Sequence, residues 1–153
     1  MDITKINWTW KRFDEMSGAE MHELLSLRQA VFIIEQTCIY QDSDEWDSQS
    51  WHLMGRDLNE SLTAYARITF PNSKDTNPTL GRLLVEPKNR GIGLGRETVQ
   101  HCLEKCALEY PAKPISVSAQ TYLITFYEAF GFERVGQPYD DAGVEHIDML
   151  LSQ

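Results

Sequence analysis

Several features that define common protein classes are scarce or absent in this sequence. No apolar run approaches the about 20 residues that a membrane-spanning helix needs, and no basic, apolar leader stands at the N-terminus. Cysteine is sparse, and an odd number of three argues against a disulfide framework. We therefore expect a soluble, cytoplasmic protein that does not bind membranes.

Basic residues are also in short supply, with 14 Lys and Arg against 23 Asp and Glu and a formal net charge of -9. Duplex binding rests on the neutralisation of phosphates by Lys and Arg, so nucleic acid is not an expected partner. The few bases are unevenly placed, because Arg82, Lys88, Arg90 and Arg96 share a short stretch with one acid, Glu86. This basic patch suits a phosphate-rich ligand.

The acidic residues form two clusters. These are Asp42, Asp44, Glu45 and Asp47, and then Asp140, Asp141, Glu145 and Asp148. If these acids line a binding cleft opposite the basic patch, they would attract a cationic substrate such as an amine. The alternative is that acidic loops only keep the protein soluble, and both interpretations are open at the level of sequence.

Hydrophobic periodicity predicts one domain, residues 1–153, in the order β, α, β, β, β, α, β, α, β, β. Strands are predicted at about 6–10, 51–56, 62–70, 80–85, 115–119, 132–135 and 146–151. Helices are predicted from 18 to the low thirties, after a capping box of Ser17 and Glu20, then up to Tyr110, and over 122–130. The strand at 62–70 alternates cleanly, which predicts one polar face. The order predicts an α/β (α+β) fold, a mixed, mostly antiparallel sheet with helices on both faces, whose core buries roughly 70% of the unfolded chain's surface.

The most informative stretch is Asn89-Arg90-Gly91-Ile92-Gly93-Leu94-Gly95-Arg96, which follows a predicted strand and opens a predicted helix. Such a glycine turn presents unpaired backbone N–H groups at the positive end of a helix dipole, which is typical of a phosphate site. The spacing does not fit the dinucleotide fingerprint G-x-G-x-x-G in either register. No Lys follows the glycines, so a Walker A loop is excluded as well.

The pattern Arg90-x-x-Gly93-x-Gly95 resembles the pyrophosphate loop of the GNAT superfamily of N-acetyltransferases. The segment Phe126-Tyr127-Glu128-Ala129-Phe130-Gly131-Phe132 resembles the family's F-Y-x-x-x-G-F signature. Further stretches resemble the ElaA-like branch across most of the chain: Leu27 to Phe32 with Glu35-Gln36, Tyr40-Gln41-Asp42, Ala64 to Ile68, Ala119-Gln120 and His146-Ile147. The resemblance implies a single GNAT-like domain with a sheet of six to seven strands.

The resemblance also implies an enzyme that moves an acetyl group from acetyl-CoA to an amine by direct attack. It places the pantetheine arm on the backbone of Leu83, Leu84 and Val85, with an oxyanion donor among their N–H groups. It places the pyrophosphate on the loop of Arg90, Gly91, Ile92, Gly93, Leu94, Gly95 and Arg96. Gln120 occupies a position where many family members carry Asn to hold the pantetheine. The alternative is that these residues bind no cofactor and form only an ordinary strand and a tight strand-to-helix turn.

Four residues are candidates for catalysis. By resemblance, Tyr127 is the general acid that protonates the leaving thiolate, whereas its plain alternative is a core aromatic. Glu35 is a candidate general base or amine ligand, because a carboxylate at a helix end is otherwise disfavoured. His52 and His146 each open a predicted strand and could titrate near neutral pH. Each of these three also has a purely structural interpretation.

No metal site is predicted. Cys102 and Cys106 share a helical stripe with Val99 and Leu103, so we expect buried thiols, and His101 points elsewhere. The sequence thus predicts an acetyl-CoA-dependent N-acyltransferase, monomeric or homodimeric, with a small-molecule or peptide amine as acceptor. A non-catalytic CoA-binding module and an interaction domain without cofactor are the alternatives.

Overall fold

The computed structural model describes residues 5–153 and contains one seven-stranded sheet in the order β1-β2-β3-β4-β5-β7-β6. The strands are β1 Asn7–Arg12, β2 Ser50–Arg56, β3 Leu62–Thr69, β4 Thr79–Val85, β5 Ile115–Gln120, β6 Glu133–Asp141 and β7 Val144–Leu151. The helices are α1 Gly18–Arg28, which continues as a π-helix over Gln29–Glu35, α2 Leu94–Glu109 and α3 Ile124–Glu128. Short 3-10 turns cover Phe13–Glu15, Asp47–Gln49, Pro87–Asn89 and Thr121–Leu123.

Neighbouring strands are antiparallel except for β4 and β5, which are parallel. That parallel pair is short, because only Thr79 with Ser116 and Leu80 with Val117 are in register. The remainder of each strand, to Val85 and to Gln120, diverges from the other. The divergence opens a cleft in the middle of the sheet.

Two hydrophobic cores lie on opposite faces of the sheet, because successive residues of a strand point to opposite sides. Helix α1 packs one core against Met54 and Tyr65. Helices α2 and α3 pack the other against Leu53 and Ala66. The predicted fold class, a mixed, mostly antiparallel sheet with helices on both faces, is confirmed.

The interior departs from prediction in one strand. All eight residues of β3 are buried, so the face predicted to be polar is not exposed to solvent. That face carries Thr63, Arg67 and Thr69, which are polar but covered by other parts of the chain. Hydrophobic alternation in the sequence distinguishes the two faces of the strand, but it does not show which other parts of the chain cover each face.

The C-terminal hairpin is longer than predicted. Strand β6 extends to Asp141, so the turn lies at Ala142 and Gly143. Register with β7 shifts between Val135 and Tyr139, and every residue of β6 is exposed. An outermost strand with such an irregularity lacks the alternating pattern from which strands are predicted.

Candidate active site

A β-bulge in β4 shapes the centre of the cleft. Tyr65 pairs with Leu84 and Arg67 pairs with Gly81, so Arg82 and Leu83 together lie opposite Ala66 alone. Arg82 adopts the left-handed conformation with a φ of 50°. A bulge leaves backbone groups out of the ladder and redirects side chains, and bulges recur beside active sites. Leu83, the second residue of the bulge, lines the cavities described below.

A first cavity of about 490 Å³ lies between the glycine loop, the end of β4 and the start of α3. Its lining includes the predicted cofactor residues Leu83, Leu84, Val85, Arg90, Gly91, Gly93, Leu94 and Gly95. Phe32, Gln36, Tyr122, Leu123 and Phe126 also line it and were not predicted. Ile92 and Arg96 lie outside this lining, and the Arg96 guanidinium stands 5.5 Å from the ring centre of Phe130.

The glycine loop is open toward this cavity. Gly91 and Gly93 have φ values of 81° and 86°, which other residues rarely adopt, and no heavy atom lies within 4 Å of a Cβ added at either. Gly93 precedes the first residue of α2, where backbone N–H groups have no intrahelical acceptor. At Gly95 an added Cβ would make only an ordinary contact, 3.8 Å from Val85 Cγ2. Packing within the protein therefore does not require glycine at position 95.

Arg90 and Glu35 form an ion pair beside the loop. Arg90 Nη1 and Nη2 donate to the two carboxylate oxygens of Glu35 at 2.5 and 2.8 Å, and Nε donates to the Val85 carbonyl at 3.0 Å. The hydrogen bonds from Arg90 lower the pKa of Glu35. A carboxylate with a lowered pKa is a weaker base, so this geometry does not support Glu35 as the general base.

A second cavity of about 330 Å³ lies on the other side of Leu83. The two cavities share five lining residues, Phe32, Gln36, Leu83, Tyr122 and Leu123. Besides Leu83, three predicted residues line the second cavity: Gln120, Tyr127 and His146. The amide of Gln120 reaches across to Gln36 Oε1 at 3.4 Å. The two cavities therefore adjoin along Leu83 and the start of the segment before α3.

Tyr127 is buried in α3, with 4% of its surface exposed, and packs edge-on against Phe126 and Phe132. Its side chain forms part of both the core and the second cavity. Burial raises the pKa of Tyr127, so its phenol carries a proton at neutral pH. The hydroxyl can therefore donate a hydrogen bond, although the raised pKa makes it a weaker proton donor than an exposed phenol.

His146 is half-buried at the second cavity. Its Nδ1 lies 2.8 Å from the Val144 carbonyl. A carbonyl only accepts hydrogen bonds, so Nδ1 carries the hydrogen and Nε2 of the neutral ring keeps its lone pair. The ring is stacked beside Tyr139. This geometry provides a nitrogen base at the cavity.

His52 has a different environment, in the interior at 0% exposure and outside both cavity linings. Its Nε2 donates to the Asp47 carbonyl at 2.8 Å, so Nδ1 accepts from the Tyr65 hydroxyl at 2.6 Å. Burial lowers the pKa of His52. With both nitrogens bonded and no access to the cleft, His52 does not fit the role of a general base.

The first acidic cluster is paired internally rather than facing a substrate. Asp42, Asp44 and Asp47 form ion pairs with Arg28, Arg67 and Arg82. Burial alone would raise the pKa of Asp47, but hydrogen bonding and attraction from Arg28, joined by attraction from Arg67, lower the pKa to about 2. Neither interpretation of these acids from sequence anticipated arginine partners.

These ion pairs also remove one residue from the predicted basic patch. Arg82 turns toward Asp42 and Asp44 and not toward the glycine loop. Lys88 is 86% exposed in its side chain. Arg90 is therefore the member of the patch that lines the first cavity.

Residues 5–153 also bear on metal binding and on membrane insertion. No group of three or more His, Cys, Asp or Glu is arranged to hold a metal ion within this part of the chain. In the same residues, no helix has the length and apolar character needed to cross a bilayer. Cys102 and Cys106 lie in the core beside Val99, so the prediction of buried thiols is confirmed.

Known proteins resemble this chain in both sequence and structure. Residues 28–153 match the Acetyltransferase (GNAT) domain. The UPF0039 protein sll0451 of Synechocystis sp. is 51% identical over 147 residues, covering 96% of each chain. The crystal structure of Escherichia coli ElaA, 37% identical, superposes with a TM-score of 0.87 over 95% of this chain and 98% of that one. An acyl-CoA N-acyltransferase from Pseudomonas aeruginosa, 31% identical, gives a TM-score of 0.91 over 95% and 99%. The chain therefore belongs to the GNAT acetyltransferase family, in its ElaA-like branch.

Proposed function

We propose that this protein transfers an acetyl group from acetyl-CoA to a small-molecule or peptide amine by direct attack. The observation that carries the proposal is the meeting of two cavities at Leu83, where β4 and β5 diverge. A transferase needs separate access for donor and acceptor and a shared point where the two reacting groups meet. The junction at Leu83 has this arrangement.

The first cavity fits an acyl-CoA. The N–H groups of the loop from Gly91 to Gly95 and the positive end of α2 suit a pyrophosphate, and Arg90 adds a guanidinium. The backbone of β4 from Leu83 to Val85 lies along the same cavity and would pair with the amides of pantetheine. Ile92 and Arg96 would contact the ligand only at the rim. Acetyl-CoA supplies an activated acyl group as its thioester.

The second cavity would receive the amine. An amine is nucleophilic only without its extra proton, so a base must accept that proton. His146 Nε2 is suited to this step, since Nδ1 is bonded to the Val144 carbonyl. Glu35 and His52 are not assigned here, because one pairs with Arg90 and the other is enclosed.

Two groups would stabilise the charge that the reaction develops. The backbone N–H at Leu83, in the bulge of β4, would donate to the carbonyl oxygen as it becomes negative. The Tyr127 hydroxyl, protonated at neutral pH, would give its proton to the departing thiolate. The proton that His146 takes from the amine balances the proton that Tyr127 gives up.

Transfer by direct attack gives no covalent role to a cysteine. Cys38 lines the second cavity, but its Sγ donates to the Ala142 carbonyl at 3.1 Å. Direct attack forms no covalent intermediate on the protein, so no step of the transfer requires this thiol. We also infer a cytoplasmic location from the three free cysteines.

The test combines binding and turnover in one buffer. Calorimetric titration with acetyl-CoA should show saturable binding, and acetyl-CoA with a panel of amines should release free thiol. Longer acyl-CoA donors in the same assay show whether acetyl is preferred. Binding without thiol release for any amine would favour the non-catalytic CoA-binding module. Absence of binding would contradict the assignment of the first cavity.

A further inference from the structure

The bulge in β4 is formed by a residue that does not favour its conformation. Arg82 has a φ of 50°, in the left-handed region where glycine is the usual residue. The following residue, Leu83, lines both cavities. Interactions of the Arg82 side chain must therefore compensate for an unfavourable backbone at the point where donor and acceptor would meet.

These interactions come from the loop between α1 and β2. Arg82 Nη2 donates to the Asp42 carbonyl at 3.0 Å and to Asp44 Oδ2 at 3.3 Å. Arg82 Nε lies 2.9 Å from Asp42 Oδ1, as an ion pair without an aligned hydrogen bond. The guanidinium also stands 5.7 Å from the ring centre of Tyr40, whose hydroxyl donates to Asp42 at 3.0 Å. One side chain thus spans from the bulge to this loop.

The loop end of these contacts is itself fixed in the interior. Asp42 is 4% exposed and accepts from Nε of Arg28 at 2.8 Å. Arg28, the last residue of α1, is fully buried and also bonds Asp47 at 2.6 Å. Buried ion pairs with several hydrogen bonds hold a defined geometry, because any other arrangement leaves a charge uncompensated. Asp42 therefore gives Arg82 a rigid partner.

We propose that Arg82 is a positioning residue for acyl transfer, whose ion pairs with Asp42 and Asp44 hold the β4 bulge and so fix the backbone N–H at Leu83. The effect on turnover rests on the proposed function, whereas the effect on the bulge does not. Arg82 lines the second cavity, but the two carboxylates already engage its charge. Its role is to orient the backbone and not to contact the substrate.

Arg82→Gly is the decisive variant. Glycine adopts the left-handed conformation without strain, so the fold is retained while the ion pairs are removed. Arg82→Lys keeps the charge but replaces a planar guanidinium with a point charge that cannot maintain the same set of contacts. The matched control is Arg56→Gln, since Arg56 also bridges a carboxylate, Glu23 at 2.7 Å, with a side chain 18% exposed against 24% for Arg82.

Two measurements are made on the full chain. Hydrogen exchange of peptides covering residues 79–86 reports the order of the bulge without any need for activity. We expect faster exchange in Arg82→Gly and unchanged exchange in Arg56→Gln. Steady-state kinetics should show kcat lowered about 10-fold to 100-fold with the acceptor KM changed less than about 3-fold, and a smaller loss of kcat in Arg82→Lys.

Wild-type exchange and wild-type kcat in Arg82→Gly would overturn the proposal. An increase in acceptor KM at unchanged kcat would also overturn it, because Arg82 would then contact the substrate directly. If the wild-type protein releases no thiol with any amine, the proposed function fails. Hydrogen exchange alone then tests whether Arg82 holds the bulge. Faster exchange in Arg82→Gly but not in Arg56→Gln then still supports the positioning of the bulge.

Discussion

Arg90 donates two hydrogen bonds to Glu35, 55 positions away in sequence, and this pair stands at the wall of the first cavity. Both side chains are 41% exposed. The pair joins the end of the π-helix that extends α1 to the glycine loop before α2. It also places a negative charge beside the site proposed for pyrophosphate, so the carboxylate and the phosphates compete for one guanidinium.

Glu35→Gln therefore provides a direct test of the role of Glu35. Removing the carboxylate frees Arg90 and removes a repulsive charge, so affinity for acetyl-CoA should rise. Exposed ion pairs contribute about 0.2–1 kcal/mol, which limits the gain to about fivefold. Calorimetry measures the affinity, and thiol release should show an unchanged kcat because Glu35 is not the base.

The matched control for this variant is Glu128→Gln. Glu128 pairs with Arg134 at 3.5 Å and is similarly exposed, but it lies outside the cavity linings. We expect no change in acetyl-CoA affinity. A large loss of kcat in Glu35→Gln at intact binding would instead restore Glu35 as the general base.

Gly95→Ala tests whether glycine at this position is needed for folding or for binding acetyl-CoA. The added Cβ finds only an ordinary contact with Val85, and alanine favours a helix over glycine by up to about 1 kcal/mol. We therefore expect equal or greater stability to denaturant together with weaker binding of acetyl-CoA, since the methyl group would obstruct close approach to the backbone. Gly18→Ala, in the first turn of α1, is the control that should leave binding unchanged. Normal affinity in Gly95→Ala would show that the ligand does not approach this residue.

His146→Gln tests the proposed base. General bases contribute typically about 100-fold or more, so kcat/KM at neutral pH should fall by about that factor while acetyl-CoA binds normally. The loss should shrink at higher pH, where more of the amine is already deprotonated. His101→Gln is the control, because His101 lies beside Trp8 and outside both cavity linings. An equal loss in both variants would argue against a specific role for His146.

Tyr127→Phe removes one hydroxyl and retains the aromatic ring that packs against Phe126 and Phe132. If the hydroxyl protonates the thiolate, kcat should fall about 10-fold to 100-fold with little change in acetyl-CoA affinity. Rates measured from about pH 6 to pH 9 should remain below wild type throughout. A wild-type rate across that range would remove Tyr127 from the mechanism.

The sequence predicted the parts of the site that depend on local backbone geometry. The glycine spacing from Gly91 to Gly95 reports a strand-to-helix turn, and the F-Y-x-x-x-G-F segment marks α3, so both could be placed from neighbours along the chain. These features need little information from distant residues.

What the sequence did not reveal depends on partners that are far apart in the chain. Arg82 appeared to belong to a basic patch because its neighbours in sequence are basic, yet its partners lie 38 and 40 positions away. The acids of the loop at 37–50 gave no sign that Arg28 and Arg67 would neutralise them. Likewise, the sequence did not distinguish Glu35 from His52 as candidate bases. In the structure, Glu35 pairs with Arg90 and His52 is buried.

The ion pairs of Asp47 should make the free energy of unfolding depend on pH. Its pKa is lowered to about 2 in the folded protein from an ordinary value of 3.8, so folding is stabilised above about pH 4 and loses that contribution as the pH falls toward 2. Urea unfolding at several pH values should show a loss of stability in this range that is smaller in Asp47→Asn than in wild type. The variant should also be less stable near neutral pH, because Arg28 keeps its charge after losing one of its two carboxylate partners. Equal pH dependence in the two proteins would show that Asp47 is not linked to acid unfolding and that other carboxylates account for it.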